Sequence, residues 1–197
     1  MVNNFRIYKN FNLSKKDKGG IILIGNFDGL HRGHQKLFNK AKNFKKKFKL
    51  KIGVITFDPI PKMFFKKLRN YRLSNFDQKI QLLKKNNVDF IVNQKFNIKF
   101  SKISCFDFIK KILFRKIKPK YIFVSDNFRF GYKRAGDLKL LKSLEKDYDY
   151  KIINPSPLKS KKFIISSTLI RKNLEMGNLK KVKKFLGRNW CIEGRVE

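Results

Sequence analysis

Apolar residues along this chain follow two alternating rhythms. Short β-branched runs such as Ile21-Ile22-Leu23-Ile24 are too short for a helix and read as buried strands. Longer stretches carry apolar residues three to four positions apart and read as helices with one buried face. The first such helix is predicted from about His31 to Lys47, with Leu37, Ala41, Phe44 and Phe48 facing inward. Residues 51–57 predict a second strand, closed by Asp58-Pro59-Ile60-Pro61, whose two prolines predict an extended loop rather than a helix. Ser74 is placed to cap a helix carrying Phe76, Ile80 and Leu83, ahead of a third strand at 89–92. Ser104 is placed to cap another, with Cys105, Phe108, Ile109, Ile112 and Leu113 inward. Pro119 stops that helix, and Tyr121-Ile122-Phe123-Val124 is a fourth strand. After a loop at 125–131, Gly136-Asp137 opens a helix with Leu138, Leu141 and Leu144. Residues 151–153 are a fifth strand and 163–165 a short extended piece. Helices near 168–176 and 178–186 finish the pattern, with Met176-Gly177-Asn178 as C-cap and restart between them. Residues 5–18 read as a polar lead-in that ends in a turn at 15–20. Strands alternating with helices throughout predict an α/β fold with a parallel sheet.

Composition narrows this picture. At 197 residues the chain is one domain, or one domain with an appendage, and it is long enough for a real core. No apolar run approaches membrane-spanning length, and no signal-peptide pattern opens the chain. Cys105 and Cys191 lie far apart and outside any CxxC pair, so they read as reduced thiols of a cytoplasmic protein. The net charge of +35 is the footprint of a nucleic-acid binder. The lysines are nevertheless scattered along the whole chain, and Lys, Asn, Ile and Phe are all abundant, as an AT-biased genome would encode. Net charge speaks to non-specific binding and not to fold. Mutational bias, nucleic-acid binding and the gathering of anionic nucleotides all remain open on composition alone.

The candidate chemistry sits between the first strand and the first helix, in Gly25-Asn26-Phe27-Asp28-Gly29-Leu30-His31-Arg32-Gly33-His34. In an open α/β sheet ligands bind at this corner, outside the carboxyl ends of the strands. The glycines let backbone approach a ligand, and free N–H groups at the helix start can receive phosphate. His31 and His34 are the only histidines in the chain, and three residues apart on a helix they face the same way. Two plainer readings stand beside this one. The pair could hold a metal, although no Cys, Asp or Glu cluster obviously completes a site, or it could be two ordinary surface histidines.

A second stretch, Ile165-Ser166-Ser167-Thr168-Leu169-Ile170-Arg171, places three hydroxyls before a helix and a guanidinium one turn in. Read plainly, these hydroxyls are caps. Together with helix N–H groups they also make a second phosphate clamp. Phe57-Asp58-Pro59-Ile60-Pro61, and Asp126-Asn127-Phe128-Arg129-Phe130-Gly131 with Arg134-Ala135-Gly136-Asp137, are strand-end loops rich in aromatics. Most such loops simply pack, but they also offer the flat apolar faces and few polar atoms that a ring ligand needs.

GNFDGLHRGH resembles the HxGH signature of the nucleotidyltransferase superfamily, and in its longer form the bacterial FMN adenylyltransferases, the first module of bifunctional riboflavin kinase/FAD synthetases. ISSTLIR is similar to the ISSTxIR signature that accompanies HxGH, and FDPIP and DNFRFG…GD to the flavin loops of the same branch. The resemblance covers roughly residues 5 to 195. It implies a Rossmann-like, doubly wound parallel sheet of the HxGH nucleotidyltransferase type, and transfer of AMP from ATP to FMN to give FAD and pyrophosphate.

By the same resemblance His31, His34 and Arg171 are catalytic. Gly25, Asn26, Phe27, Asp28, Gly33, Ser166, Ser167 and Thr168 bind ATP, and Phe57, Asp58, Pro59, Pro61, Asn127, Phe128 and Arg129 bind the flavin. Mg²⁺ arrives on the ATP phosphates with no protein cage, and neither a specific nucleic acid nor a membrane is expected as partner. No oligomeric state is implied. Ile60 stands where the family usually has His, Ser125 replaces a common Gly and Leu169 a common Arg. Other HxGH acceptors, and a basic nucleic-acid binder on this fold, are the alternative readings. Residues 1–187 are expected to form the adenylyltransferase domain, and 188–197 a residual linker with little to pack against, leading toward a riboflavin kinase barrel that the sequence does not contain.

Overall fold

The computed structural model describes residues 5–193. Its centre is strand β2 (Ile21–Ile24), buried at every position. Six strands form one all-parallel sheet in the order β1-β4-β3-β2-β5-β8. The other members are β1 (Arg6–Tyr8), β3 (Ile52–Asp58), β4 (Phe90–Lys95), β5 (Tyr121–Phe123) and β8 (Lys151–Ile153). From β2 the chain winds one way through helix α1 (Arg32–Phe48), β3, α3 (Phe76–Lys85) and β4. It then returns to the other side of β2 for β5, α6 (Leu138–Ser143) and β8. Strand order therefore reverses between β2 and β5, and a doubly wound sheet opens its ligand crevice at such a reversal, outside the carboxyl ends of the strands.

The two faces of the sheet are sorted by residue parity, as the pleat requires. Ile21, Leu23, Ile52, Val54 and Ile91 pack with Leu37, Phe38 and Ala41 of α1 and Ile80 and Leu83 of α3. Ile22, Ile24, Ile55, Phe90, Val92 and Ile122 pack on the opposite face, against Phe108, Ile109, Ile112, Leu113 and Ile117. Those five lie on the π-helical turns over Phe108–Ile117, which continue α5 (Cys105–Asp107). Their apolar positions step by four and five, which suits the wider winding of i→i+5 bonding. A small third cluster joins α7 (Ser167–Glu175) and α8 (Leu179–Leu186) to Leu73 and Trp190.

Most predicted elements form where the apolar rhythm puts them, including the Ser104 cap, which accepts from Asp107 N at 3.0 Å, and the Asp137 cap, which accepts from Leu140 N at 2.9 Å. Four expectations change. The lead-in contains a sixth strand, β1, paired to β4. Pro61 begins helix α2 (Pro61–Lys66) instead of forbidding one, because at the first helical position its missing N–H has no partner to lose. The N-cap of α3 is Asn75, which exchanges side-chain hydrogen bonds with Gln78 in a capping box, and not Ser74. Residues 188–193 do not lack contacts, since Trp190 Nε1 donates to Leu73 O at 2.9 Å and Arg188 Nη2 to Gly29 O at 2.8 Å. The rest of the expected linker, 194–197, lies outside the described residues. Three short elements fill the remaining loops. A hairpin pairs β6 (Arg129–Phe130) with β7 (Gly136–Asp137), another pairs β9 (Lys159–Ser160) with β10 (Phe163–Ile164), and α4 (Ile98–Ser101) follows β4.

The edge strand that hydropathy misses is held by a polar knot. Asp17, 2% exposed, accepts from Arg6 Nη1 and Tyr8 Oη, both at 2.7 Å, and from Lys51 Nζ at 2.9 Å. Burial works to raise the Asp17 carboxyl, but the hydrogen bonds from Lys51 and Tyr8 and the charges of Lys51 and Arg6 outweigh it and hold its pKa below the usual value. Asp17→Asn removes the charge that Arg6 and Lys51 face. It is expected to cost about 2 kcal/mol by urea unfolding, at the low end for a buried pair because both cations reach solvent. An unchanged midpoint would show that β1 needs no such anchor.

Candidate active site

β2 delivers the chain to the crevice, and the backbone there departs at once from regular structure. Phe27 (φ 47°), Gly29 (φ 73°) and Leu30 (φ 37°) all take left-handed conformations. For Phe27 and Leu30 this costs energy that the surroundings must offset, a pattern that clusters at functional sites. The offset is visible in what holds Asp28. Its carboxylate, 3% exposed, accepts from Leu73 N at 2.9 and 3.1 Å and from Ser74 N at 3.4 Å, and pairs with Arg171 Nη2. Its carbonyl accepts from Ser167 Oγ at 2.9 Å. Burial raises the Asp28 pKa, opposed by the charge of Arg171, the backbone donors and the charge of Lys79.

The two stretches singled out in the sequence thus meet. Besides the Asp28–Arg171 and Asp28–Ser167 contacts, Gly33 lies directly against the segment before α7. A Cβ there would come within 3.0 Å of Ile165 O and 3.1 Å of the His31 ring. Gly33 therefore serves an internal approach between the two motifs, and Gly29 supplies a positive φ under Leu73. Both differ from the expectation that these glycines clear space for a ligand.

His31 is the N-cap of α1, its Nδ1 accepting from His34 N at 3.3 Å. In the neutral ring that bond puts the proton on Nε2, which leaves a donor. The two imidazoles stack with centroids 3.6 Å apart, and His34 sets an edge against Phe27. Burial, then the charges of Arg171 and Arg188, push the His31 pKa down to about 4. Burial, then the charges of His31 and Lys79, hold His34 well below the usual value too. Both rings are neutral at pH 7. His34 Nδ1 is buried without a partner among the described residues, and so is Asn26 Oδ1 on the same loop.

The hydroxyl stretch divides its labour. Ser166 is the N-cap of α7, its Oγ accepting from Leu169 N at 3.2 Å, and Ser167 is tied to Asp28. Thr168 is exposed. Arg171 is not free: Nε donates to Tyr71 O at 2.7 Å, Nη2 meets Asp28, and the guanidinium lies 3.6 Å over the Tyr71 ring. Nη1 has no partner among the described residues. The loop that carries Asp28 is held from the C-terminal side as well, by Arg188 on Gly29 O and by Gln35 Nε2, which bridges Leu30 O and Leu186 O at 3.0 and 2.8 Å.

The two aromatic loops flank this centre. Phe57 and Asp58 end β3 on one side of β2, while Asn127, Phe128 and Arg129 follow β5 on the other. Pro59 and Pro61 are half-buried, Asn127 and Arg129 are exposed, and Ile60 is 4% exposed and packs inward. Phe128 stacks on Phe130, and Phe57 packs on Phe96 and Phe100. No ring contact or hydrogen bond joins the two loops among the described residues. Sequence reasoning missed Arg72, just ahead of α3, and Lys79, on α3 itself, which line the crevice, and Tyr71, on which Arg171 rests. Their only trace in the sequence is a basic residue inside an amphipathic helix, one signal among many lysines. Among the described residues no group of three or more His, Cys, Asp or Glu is placed to hold a metal ion.

Known proteins share this arrangement. A bifunctional riboflavin kinase/FMN adenylyltransferase of Buchnera aphidicola subsp. Acyrthosiphon pisum is 40% identical over 186 residues, covering 94% of this chain and 59% of the relative. The protein of that name from Escherichia coli K12 is 33% identical, covering 94% of this chain and 60% of its own length. The chain thus spans about three fifths of these relatives. A FAD synthetase of Listeria monocytogenes is 30% identical, with 93% of this chain and 75% of the relative covered. Among solved structures, one described as a macrolide-efflux protein from Streptococcus pneumoniae has a TM-score of 0.82 at 26% identity, covering 94% of this chain and 70% of that one. That description belongs to that protein; no described helix here is long and apolar enough to cross a membrane. A pantoate-β-alanine ligase from Francisella tularensis, with a TM-score of 0.54 at 20% identity over 93% of this chain and 79% of its own, shares the fold alone. The FAD synthetase family description matches residues 13–169, which take in the first motif and the second as far as Leu169, and the chain belongs to that family.

Proposed function

We propose that this chain transfers AMP from ATP to FMN, giving FAD and pyrophosphate. The observation that carries the reading is the contact of the two phosphate-binding stretches, 139 residues apart, around one crevice beside an aromatic loop. The attacking group, a phosphomonoester oxygen of FMN, is already an anion, so the reaction needs no general base. It attacks the α-phosphorus of ATP in line, the bond to the β-phosphate oxygen breaks, and the electron pair leaves with pyrophosphate. What the protein supplies is position and charge stabilisation.

His31 and His34, held neutral, act as hydrogen-bond donors to phosphate oxygens rather than as acids. Thr168 offers an exposed hydroxyl at the start of α7. Arg171, fixed through Nε and Nη2, keeps Nη1 for the departing pyrophosphate with little left to reorganise. Gly25, Asn26, Phe27 and Asp28 border the nucleotide through backbone, the Asp28 carboxylate being spent on Arg171 and Leu73. Phe57, Asp58, Pro59, Pro61, Asn127, Phe128 and Arg129 flank the flavin side. Mg²⁺ comes with ATP, held by phosphate oxygens and water, since the carboxylates of the crevice are engaged by arginines.

Incubated with ATP, Mg²⁺ and FMN, the 197-residue chain is expected to form FAD detectable by chromatography, and with riboflavin and MgATP to form no FMN. His34→Ala should lower turnover by about a hundredfold, the usual cost of one preorganised donor, with ATP binding little changed. Lys46→Gln and Lys142→Gln, both on exposed positions, should change only the salt dependence. Equal losses at those lysines would favour a basic surface as the working element.

The buried histidines also make stability depend on pH. Unfolded, His31 takes a proton near 6.5; folded, only near 4. Between those values the unfolded chain binds more protons, so stability falls as pH falls across the window, by roughly 3 kcal/mol in full. His31→Asn keeps a good N-cap without a titrating ring. Urea midpoints of the variant between pH 6.5 and 4 should fall less steeply than those of the wild type; parallel curves would show that His31 does not set the slope.

A further inference from the structure

One buried charge in the crevice has no work to do in the fold. Lys79, on α3, is 6% exposed. Its Nζ makes one long hydrogen bond, to Thr56 Oγ1 at 3.4 Å. Two carboxylates stand near, but each is taken: Asp58 pairs with Arg72 and Asp28 with Arg171. Lys79 itself forms no ion pair among the described residues. Burial of an ammonium is costly unless it is paired and hydrogen-bonded. Here two of its three N–H groups point at no protein acceptor, and the crevice holds one positive charge in excess.

The position of that charge says what it can meet. Thr56 Oγ1, next to Lys79 Nζ, also donates to Asn26 O at 3.3 Å, so the ammonium lies beneath the C-terminal ends of β2 and β3, beside the loop that leads to the histidines. It lines a small cavity with Phe57, Asp58, Arg72, Ser74 and Asn93. Phe57 and Asp58 of the aromatic loop line that cavity, and Lys79 lies close enough for its charge to act on Asp28 and His34. An acceptor whose ring sits at the aromatic loop, and whose phosphate must reach an α-phosphorus held at the histidines, has to lay its phosphate between the two. Asn93 Oδ1, buried and without a partner, adds an acceptor for a hydroxyl of the chain that links ring to phosphate.

We infer that Lys79 receives the phosphomonoester of the acceptor substrate and so selects a phosphorylated flavin over its unphosphorylated parent. The inference rests on the adenylyl-transfer reading above. The neighbouring Arg72–Asp58 pair is neutral as a whole, so the excess charge is that of Lys79. The attacking oxygen keeps its negative charge against one fixed cation, and the remaining N–H groups of Lys79 find the acceptors that the protein withholds.

The test compares binding of FMN and of riboflavin by fluorescence quenching, and of a non-hydrolysable MgATP analogue by calorimetry, in wild type, Lys79→Met and Lys79→Arg. The wild type is expected to bind FMN at least tenfold more tightly than riboflavin. Lys79→Met should bring FMN down to the riboflavin value, with riboflavin and nucleotide affinities unchanged, and Lys79→Arg should keep most of the preference. Because Met removes a buried, poorly paired charge, that variant should unfold at the same urea concentration as the wild type or higher. A Met variant that fails to fold would make Lys79 a structural residue and overturn the inference. So would an unchanged FMN preference, a loss confined to the nucleotide, or a wild type that binds both flavins equally. A wild type that binds neither flavin would instead remove the FMN reading on which the inference stands.

Discussion

The Asp28 carboxylate is the point from which the site is hung. Three parts of the chain that are remote in sequence close on it: the loop after β2, the segment Tyr71–Ser74 ahead of α3, and α7 through Arg171 and Ser167. The pair is almost dry, with the Asp28 side chain 3% and the Arg171 side chain 14% exposed. Burial makes the carboxylate expensive to keep charged and leaves its pKa above the usual value, and the arginine with the Leu73 and Ser74 N–H groups offsets only part of that cost. With Asp28 fixed, the left-handed Phe27 and Leu30 are held, α1 begins at His31, and both sequence motifs face one crevice.

The same constraint explains why the histidines are neutral in a chain of net charge +35. Burial comes first, since a charged ring in that space has nowhere to be solvated, and the neighbouring cations Lys79, Arg171 and Arg188 add to it. Neutral imidazoles donate hydrogen bonds without proton exchange, which suits the proposed reaction, whose nucleophile arrives ionised. The excess charge elsewhere is spread over exposed lysines on many elements, and the crevice itself depends on a few buried cations.

Much of this was legible in the sequence. The apolar rhythm marks five of the six sheet strands and the main helices, because each of those buries one face or both. β1 escaped because a three-residue edge strand with Arg6 and Tyr8 carries no apolar run, and its anchor, Asp17, is a polar contact eleven residues away. Pro61 misled because a proline forbids the interior of a helix but suits its first turn. At the site, the motif residues His31, His34, Ser166, Ser167 and Arg171 do come together. What pattern alone did not carry is which of them the fold consumes: Ser166 as a cap, Ser167 and the Asp28 carboxylate as ties, and Arg171 Nε and Nη2 as a clasp. Nor did it mark Lys79, whose burial is decided by tertiary packing and not by its neighbours in the chain.

The most direct measurement is a double-mutant cycle on this joint, with Asp28→Asn, Arg171→Met and the pair compared by urea unfolding. The account predicts that each single change costs on the order of 3 kcal/mol, because it strands one buried charge. The double variant should cost little more than either alone, leaving a large coupling energy. Additive losses would contradict it, and would mean that the two motifs are brought together by packing around them rather than by this ion pair.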